Sequence, residues 1–332
     1  MTVLKSESQI DCSIGAGMNL KQLVTHYTQN ELPRLAFSTK AAYVSYLNSW
    51  IIPTWGNLNL REVKAVQVES WLATLPLKNG SRAKIRNIMC SLYSHACRWE
   101  FTDRNPITHV RQATQRASQP VILSNDEITR LLTELPEPAR TAVYVALATG
   151  LRVSELLALQ WADIDFSNHT LTPVRGIVDN HVGGLKTVAS GSPVPASQEV
   201  TDTLARWHAT TLYPAPTDWV FPSPKMGGKQ PYWQDSMMRK IIWPAAKRAG
   251  LSKRIGWHTF RRSLASLLVV ESPDMKLTQE ILRHANARIT MELYAQSTMP
   301  AKQELQAKLI SKWNGGDDET RTRDLCRDRA AF

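Results

Sequence analysis

Between Ile85 and Trp99 the apolar residues Ile85, Ile88, Met89, Leu92, Ala96 and Trp99 recur at i, i+3, i+4, i+7, i+11 and i+14. Only an α-helix gathers that spacing onto one face, so this stretch must be a helix with a buried side. The same period recurs on both sides of it. Leu20, Leu23, Val24 and Tyr27 form one stripe, and a second helix capped by Ser38 or Thr39 carries Tyr43, Tyr46, Leu47 and Trp50. Ile52-Pro53-Thr54-Trp55-Gly56 reads as the turn that ends this second helix. A third helix spans about Lys64 to Leu75 and stops at Pro76; the fourth follows Asn79-Gly80-Ser81, and Asn105-Pro106 closes the unit. Residues 19–106 are therefore expected to form a four-helix module, preceded by a loose polar arm over 1–18. Residues 107–121 are polar and lack an apolar period, as a linker does.

A second region begins at Ser124, where Glu127 three residues on completes a capping box. Helices are expected to Leu135, from Pro138 to Ala148, and again from Arg152, with Gly150 ending the second of these. Val153, Leu156 and Leu157 should face inward from the third. Thr170 to Val194 is the one strand-like region, with Gly183-Gly184 as its hairpin turn. Helical patterns resume at 196–211, 233–249, 258–270, 275–283, 288–296 and 301–313. The expectation is a mainly α chain: a four-helix domain, then a mixed α/β domain over 122–313 with one small antiparallel sheet. Residues 314–332 are charged and poor in apolar side chains, as a disordered tail is.

Composition narrows the partner. Forty basic against 29 acidic side chains leave a net charge of +11, which favours a polyanion such as DNA. No stretch of eighteen apolar residues could cross a membrane, and no signal-peptide core follows Met1. Cys12, Cys90, Cys97 and Cys326 form no CxxC pair and no metal-ligand spacing. Cys90 and Cys97 are expected as buried free thiols, in a cytoplasmic protein without metal or other cofactor.

The residues that carry chemistry come in a set order. Thr149-Gly150-Leu151-Arg152-Val153-Ser154-Glu155-Leu156 is followed by Lys186, then His258-Thr259-Phe260-Arg261, then His284, then Tyr294. Two arginines, a lysine, two histidines and a tyrosine suit attack on a phosphodiester: cations for the non-bridging oxygens, proton carriers, and a nucleophile. The three-residue spacing of His258 and Arg261 puts both on one helical face. Alone, each has an ordinary reading: Arg152 as a surface partner of Glu155, Lys186 as a solvated lysine, Tyr294 as a packing residue.

This order and these local strings resemble the tyrosine recombinase (phage integrase) family, over nearly the whole chain from residue 19 to about 313. The resemblance implies a core-binding, SAM-like N-terminal domain, matched by the turn at Ile52–Gly56 and by Asn105-Pro106. It implies a catalytic domain in which Arg152 and Arg261 clamp the scissile phosphate and Glu155 supports the site. His258 and His284 hydrogen-bond or relay protons, Lys186 protonates the leaving 5′-oxygen, and Tyr294 is the nucleophile that forms a 3′-phosphotyrosyl bond. The family usually has Leu-Gly-His at the second histidine, and here Arg283 replaces the glycine. Arg82, Lys84 and Arg86 at the start of the fourth helix, together with Arg262, are candidate DNA contacts. The implied function is that of a phage or genomic-island integrase acting without metal or ATP. Its implied partners are double-stranded DNA attachment sites and three further copies in a tetramer on DNA, with a host bending factor or an excisionase as candidate accessories. The alternatives that remain are a type IB topoisomerase, with the same chemistry, and a DNA-binding regulator that has kept the fold. The tail adds one expectation: Glu319-Thr320-Arg321-Thr322 can be encoded GAG-ACT-CGA-ACT, whose reverse strand contains a tRNA T-arm string, as if the gene's end overlapped an attachment core.

Overall fold

The computed structural model describes residues 17–111, 120–179, 181–185, 191–271, 274–283, 291 and 306. The chain divides into two units, Met1–Gln119 and Pro120–Phe332.

In the first unit, α1 (Leu20–Asn30) starts from a reciprocal cap in which the Asn19 side chain accepts from the Gln22 amide and Gln22 accepts from the Asn19 amide. Its stripe Leu20, Leu23, Val24 and Tyr27 is buried as the spacing requires. The second helix departs from expectation at both ends. α2 (Phe37–Tyr46) begins after Ala36, with no side-chain cap from Ser38 or Thr39. It does not stop at Pro53 either: a wide π-type turn over Leu47–Ile51 carries the rod on into α3 (Ile52–Trp55). Proline has no N–H to give to a carbonyl one turn back, and its ring needs room there, so widening that turn lets the helix pass it. α4 (Ala65–Thr74) and α5 (Asn79–Arg98) complete four helical rods around a core that includes Ile51, Trp55, Val68, Ile85, Met89 and Leu92. α5 includes Asn79-Gly80-Ser81, which the sequence placed before it, and Trp99 caps its end at 37% exposure instead of entering the core. A 3₁₀ turn over Pro106–His109 follows, and Ile107 and Val110 are buried in the same core. Those residues were expected in the linker; two apolar side chains three apart draw the segment onto the module. Cys90 and Cys97 are free thiols, half-buried rather than buried.

In the second unit, α6 (Asn125–Glu134) begins at the Ser124–Glu127 capping box, and α7 (Ala139–Thr149) ends at Gly150 in the left-handed conformation. α8 (Val153–Leu156) is a single turn. Five short strands follow: β1 (Ile164–Asp165), β2 (Thr170–Leu171), β3 (Gly176–Val178), β4 (His181–Gly183) and β5 (Val194–Pro195). They make two antiparallel sheets where one was expected, ordered β1-β2-β5 and β3-β4. The β3-β4 pair puts Gly176 opposite Gly183 and Val178 opposite His181. The hairpin therefore reverses between Val178 and His181, and Gly183 lies within a strand rather than at the turn. Alternation explains the shift, because Ile177 and Val182 then pair on one face.

The remaining helices are α9 (Gln198–Thr210), α10 (Gln234–Met237), α11 (Trp243–Arg248), α12 (Trp257–Glu271) and α13 (Met275–Ile281). A second π-type turn, Met238–Ile242, joins α10 to α11 just ahead of Pro244, repeating the arrangement at Pro53. α12 packs on α7, and the core between the helices includes Val143, Leu147, Leu156, Ile242 and Phe260. The chain enters this unit pinned to α12, since the Leu123 amide donates to Ser263 Oγ at 2.8 Å. Among the described residues no helix is long and apolar enough to cross a membrane. The helical patterns at 288–296 and 301–313, and the tail, lie outside the described residues apart from single positions.

Candidate active site

Three short segments of the second unit meet at one place: the turn from α7 into α8, the start of α12, and the end of α13. Gly150 sets the first. Its φ of +63° is one that L side chains rarely adopt, and a Cβ there would lie 3.0 Å from Leu264 Cδ2 and 3.1 Å from Leu282 Cδ2. The missing side chain lets α12 and the end of α13 close onto the turn, and it aims the next residues into the site.

Arg152 is the cap residue of α8. Its amide donates to Glu155 Oε2 at 3.1 Å, and its Nη1 donates to Glu155 Oε1 at 2.9 Å. The Arg152 side chain keeps 30% exposure, whereas that of Glu155 keeps 3%. Burial works against a charged Glu155, but the Arg283 guanidinium and the hydrogen bonds and charge of Arg152 outweigh it. The carboxyl is held below its ordinary value. β3 packs beside α8, and Arg175 just ahead of it donates to Asp163 Oδ2 at 2.6 Å and to the Ala158 carbonyl, holding the segment that follows α8.

α12 supplies the second arginine. Its start is fixed by tryptophan N–H groups: Trp257 donates to the Gln234 carbonyl at 3.1 Å and Trp243 to the Ile255 carbonyl at 2.9 Å. The Gly256 amide donates to Thr259 Oγ1 at 3.0 Å, closing the first turn. Arg261 then donates Nη1 to the Gly150 carbonyl and Nη2 to the Leu282 carbonyl, which fixes the plane of its guanidinium. Burial, and after it repulsion from Arg152, lower its pKa to about 10, so the group stays charged at neutral pH. His258, one turn earlier, is exposed. Partial desolvation, followed by the charges of Arg262, Arg261 and Arg152, lowers its pKa, which favours the neutral imidazole at neutral pH. Arg262 is exposed on the same helix.

One residue here was noted in the sequence only as a departure. Arg283 is buried, its Nη2 lies 2.6 Å from Glu155 Oε2, and its backbone has φ +50°. The signal was a long cation in the glycine position of a turn. Lys186, His284 and Tyr294 lie outside the described residues. In the first unit, Arg82 donates to the Leu75 carbonyl at 2.6 Å, and Arg86 donates to those of Ile107 and Thr108. Both arginines thus tie their own module together, while Lys84 is exposed. No group of three or more metal-ligating side chains occurs among the described residues. The site gathers several cations around one buried carboxylate, an arrangement that can receive a phosphate.

Residues 122–300 match the phage integrase family. A tyrosine recombinase of Pseudothermotoga lettingae is 25% identical over 267 residues, covering 77% of this chain and 87% of its own. The tyrosine recombinase XerC of Anoxybacillus flavithermus is 26% identical over 240 residues, covering 70% and 77%. Among solved structures, the Tn1549 transposon integrase in complex with a circular intermediate DNA superposes with a TM-score of 0.71. Identity there is 18%, over 88% of this chain and 99% of that one. A lambda integrase tetramer bound to a Holliday junction gives a TM-score of 0.66 at 19% identity, over 84% and 78%.

Proposed function

This chain belongs to the phage integrase family, the tyrosine recombinases, which cleave and rejoin DNA at specific sites, and we propose that it is an integrase of a phage or genomic island. In this reading Arg152 and Arg261 hold the non-bridging oxygens of the scissile phosphate, and the Tyr294 phenolic oxygen attacks phosphorus. The bond to the 5′-oxygen breaks, Lys186 gives that oxygen its proton, and His258 and His284 hydrogen-bond the phosphate or relay protons. The 3′-phosphotyrosyl bond keeps the energy of the phosphodiester, so the 5′-hydroxyl of a second strand can reverse the step without ATP.

The observation that carries this reading is the joint anchoring of Arg152 and Arg261. One is set by Glu155, the other by the carbonyls of Gly150 and Leu282, and the two are close enough for the charge of Arg152 to lower the pKa of Arg261. Two guanidiniums held in place before the substrate arrives stabilise developing negative charge with little reorganisation. Relatives in the family have been captured on DNA, as a dimer on a core site and as a tetramer on a Holliday junction. By analogy the partners here are duplex attachment sites and further copies of this chain, with a host bending factor or an excisionase as accessories. A net charge of +11 agrees with a DNA substrate.

A suicide duplex with a nick beside the cleavage point tests the reading. The wild-type protein should accumulate a covalent adduct that resists denaturant, and Tyr294→Phe should give none. An adduct that survives Tyr294→Phe, or none with the wild type, overturns it.

A further inference from the structure

Arg283 stands where the turn before the second histidine usually has a glycine, and it adopts the backbone of one, with φ +50°. A left-handed conformation is strained for a residue with a Cβ, so an arginine here needs an offsetting contact. That contact is the buried ion pair from Arg283 Nη2 to Glu155 Oε2. The same carboxylate receives Arg152 Nη1 on its other oxygen, and the residue before Arg283 gives its carbonyl to Arg261. A closed ring results: Gly150, Arg152, Glu155, Arg283, Leu282 and Arg261, with Arg261 returning to the Gly150 carbonyl. Two of its links, Arg152 and Arg261, are the proposed phosphate ligands, and Arg283 ties the segment that sets the first to the segment that holds the second.

We propose that Arg283 is a positioning residue of the phosphate clamp, latching the end of α13 to Glu155 and so fixing Arg152 and Arg261 relative to each other. This rests on the recombinase reading above. Its guanidinium is buried, so it acts through Glu155 rather than on DNA. The charged groups facing Glu155 are Arg283 from the end of α13, Arg152 from its own segment and Arg261 from α12. Removing Arg283 leaves a buried carboxylate with less opposing charge, so it takes up a proton at a higher pH than in the wild type. The clamp should then fail earlier as the medium is acidified.

Single-turnover cleavage of the nicked duplex tests this, with DNA affinity and melting temperature measured alongside. Arg283→Gly relieves the backbone but removes the latch, Arg283→Gln removes only the charge, and Arg283→Lys keeps it. The first two should cleave about tenfold or more slowly at unchanged affinity, since small displacements of catalytic groups cost factors of this size. Their acid limb should move to higher pH, and Arg283→Lys should stay closer to the wild type. Arg283→Gly at the wild-type rate with an unmoved acid limb overturns the proposal, as does Arg283→Lys no faster than Arg283→Gln. If Arg283→Gly does not fold, the Gln and Lys pair decides alone. A wild type that forms no adduct overturns the recombinase reading and this proposal together. Normal wild-type cleavage with indifferent variants overturns this proposal only.

Discussion

Arg152 and Arg261 reach the site by different routes, and their substitutions should differ accordingly. Arg152→Ala removes a partly exposed cation and one partner of Glu155, while Arg261→Ala also frees the carbonyls of Gly150 and Leu282. Each should lose about 3 kcal/mol or more of transition-state stabilisation, by the measure of one oxyanion donor. DNA affinity should change far less, because many basic side chains share the backbone contacts. Paired binding and single-turnover measurements check this, and a variant that binds poorly yet cleaves normally once bound is only a docking contact. Glu155 makes a second prediction. Its pKa is depressed in the folded state below the ordinary 4.5, so its contribution to stability is full above that value and is lost as the pH falls through the lower folded value. Chemical denaturation at a series of pH values below about 4.5 should therefore show a steeper loss for the wild type than for Glu155→Gln.

At the scale of elements, the turn from α7 into α8 sets the position of everything else in the site. Gly150→Ala forces a Cβ into a left-handed residue and against Leu264 and Leu282. It should cost about 1–2 kcal/mol from the backbone alone, read as a lower midpoint in urea, and should slow cleavage by displacing Arg152. This turn was legible in the sequence because a glycine after a helical stripe and a cation after the glycine are local signals. So were α1, from its stripe Leu20, Leu23, Val24 and Tyr27, and the start of α6, where Ser124 stands three residues before Glu127. What escaped was set by packing rather than by local pattern. Pro53 read as a stop, yet a π-type turn ahead of it lets the rod continue. The hairpin reversal was assigned to Gly183-Gly184, whereas strand pairing places it between Val178 and His181. Ile107 and Val110 look like linker until the core that receives them is known. Arg82 and Arg86 are candidate DNA contacts by charge, and nothing local shows that their guanidiniums also hold carbonyls of their own module. Arg283 is the instructive miss. Its place in a glycine position marked it as unusual, but only the fold shows that it reaches across to Glu155.

For the molecule as a whole, the sequence stripe Leu305, Leu309, Ile310 and Trp313 lies past the proposed nucleophile Tyr294, at positions outside the described residues. If it docks on a neighbouring copy, ending the chain before Ala301 should abolish recombination and leave binding to a single site intact. A truncated chain that no longer folds would instead show that the segment packs on its own domain. Two-site recombination and gel-shift assays on the same preparation separate these outcomes. Cleavage of DNA by Tyr294 would leave a particular pair of ends. The most direct measurement is to cleave the nicked duplex with the wild-type protein, digest the protein, and find the modified peptide by mass spectrometry. The expected products are a nucleotide joined through its 3′-phosphate to Tyr294, and a released strand whose 5′-hydroxyl accepts phosphate from a polynucleotide kinase. Cleavage that leaves a free 3′-hydroxyl and a 5′-phosphate, with Tyr294 unmodified, would contradict it.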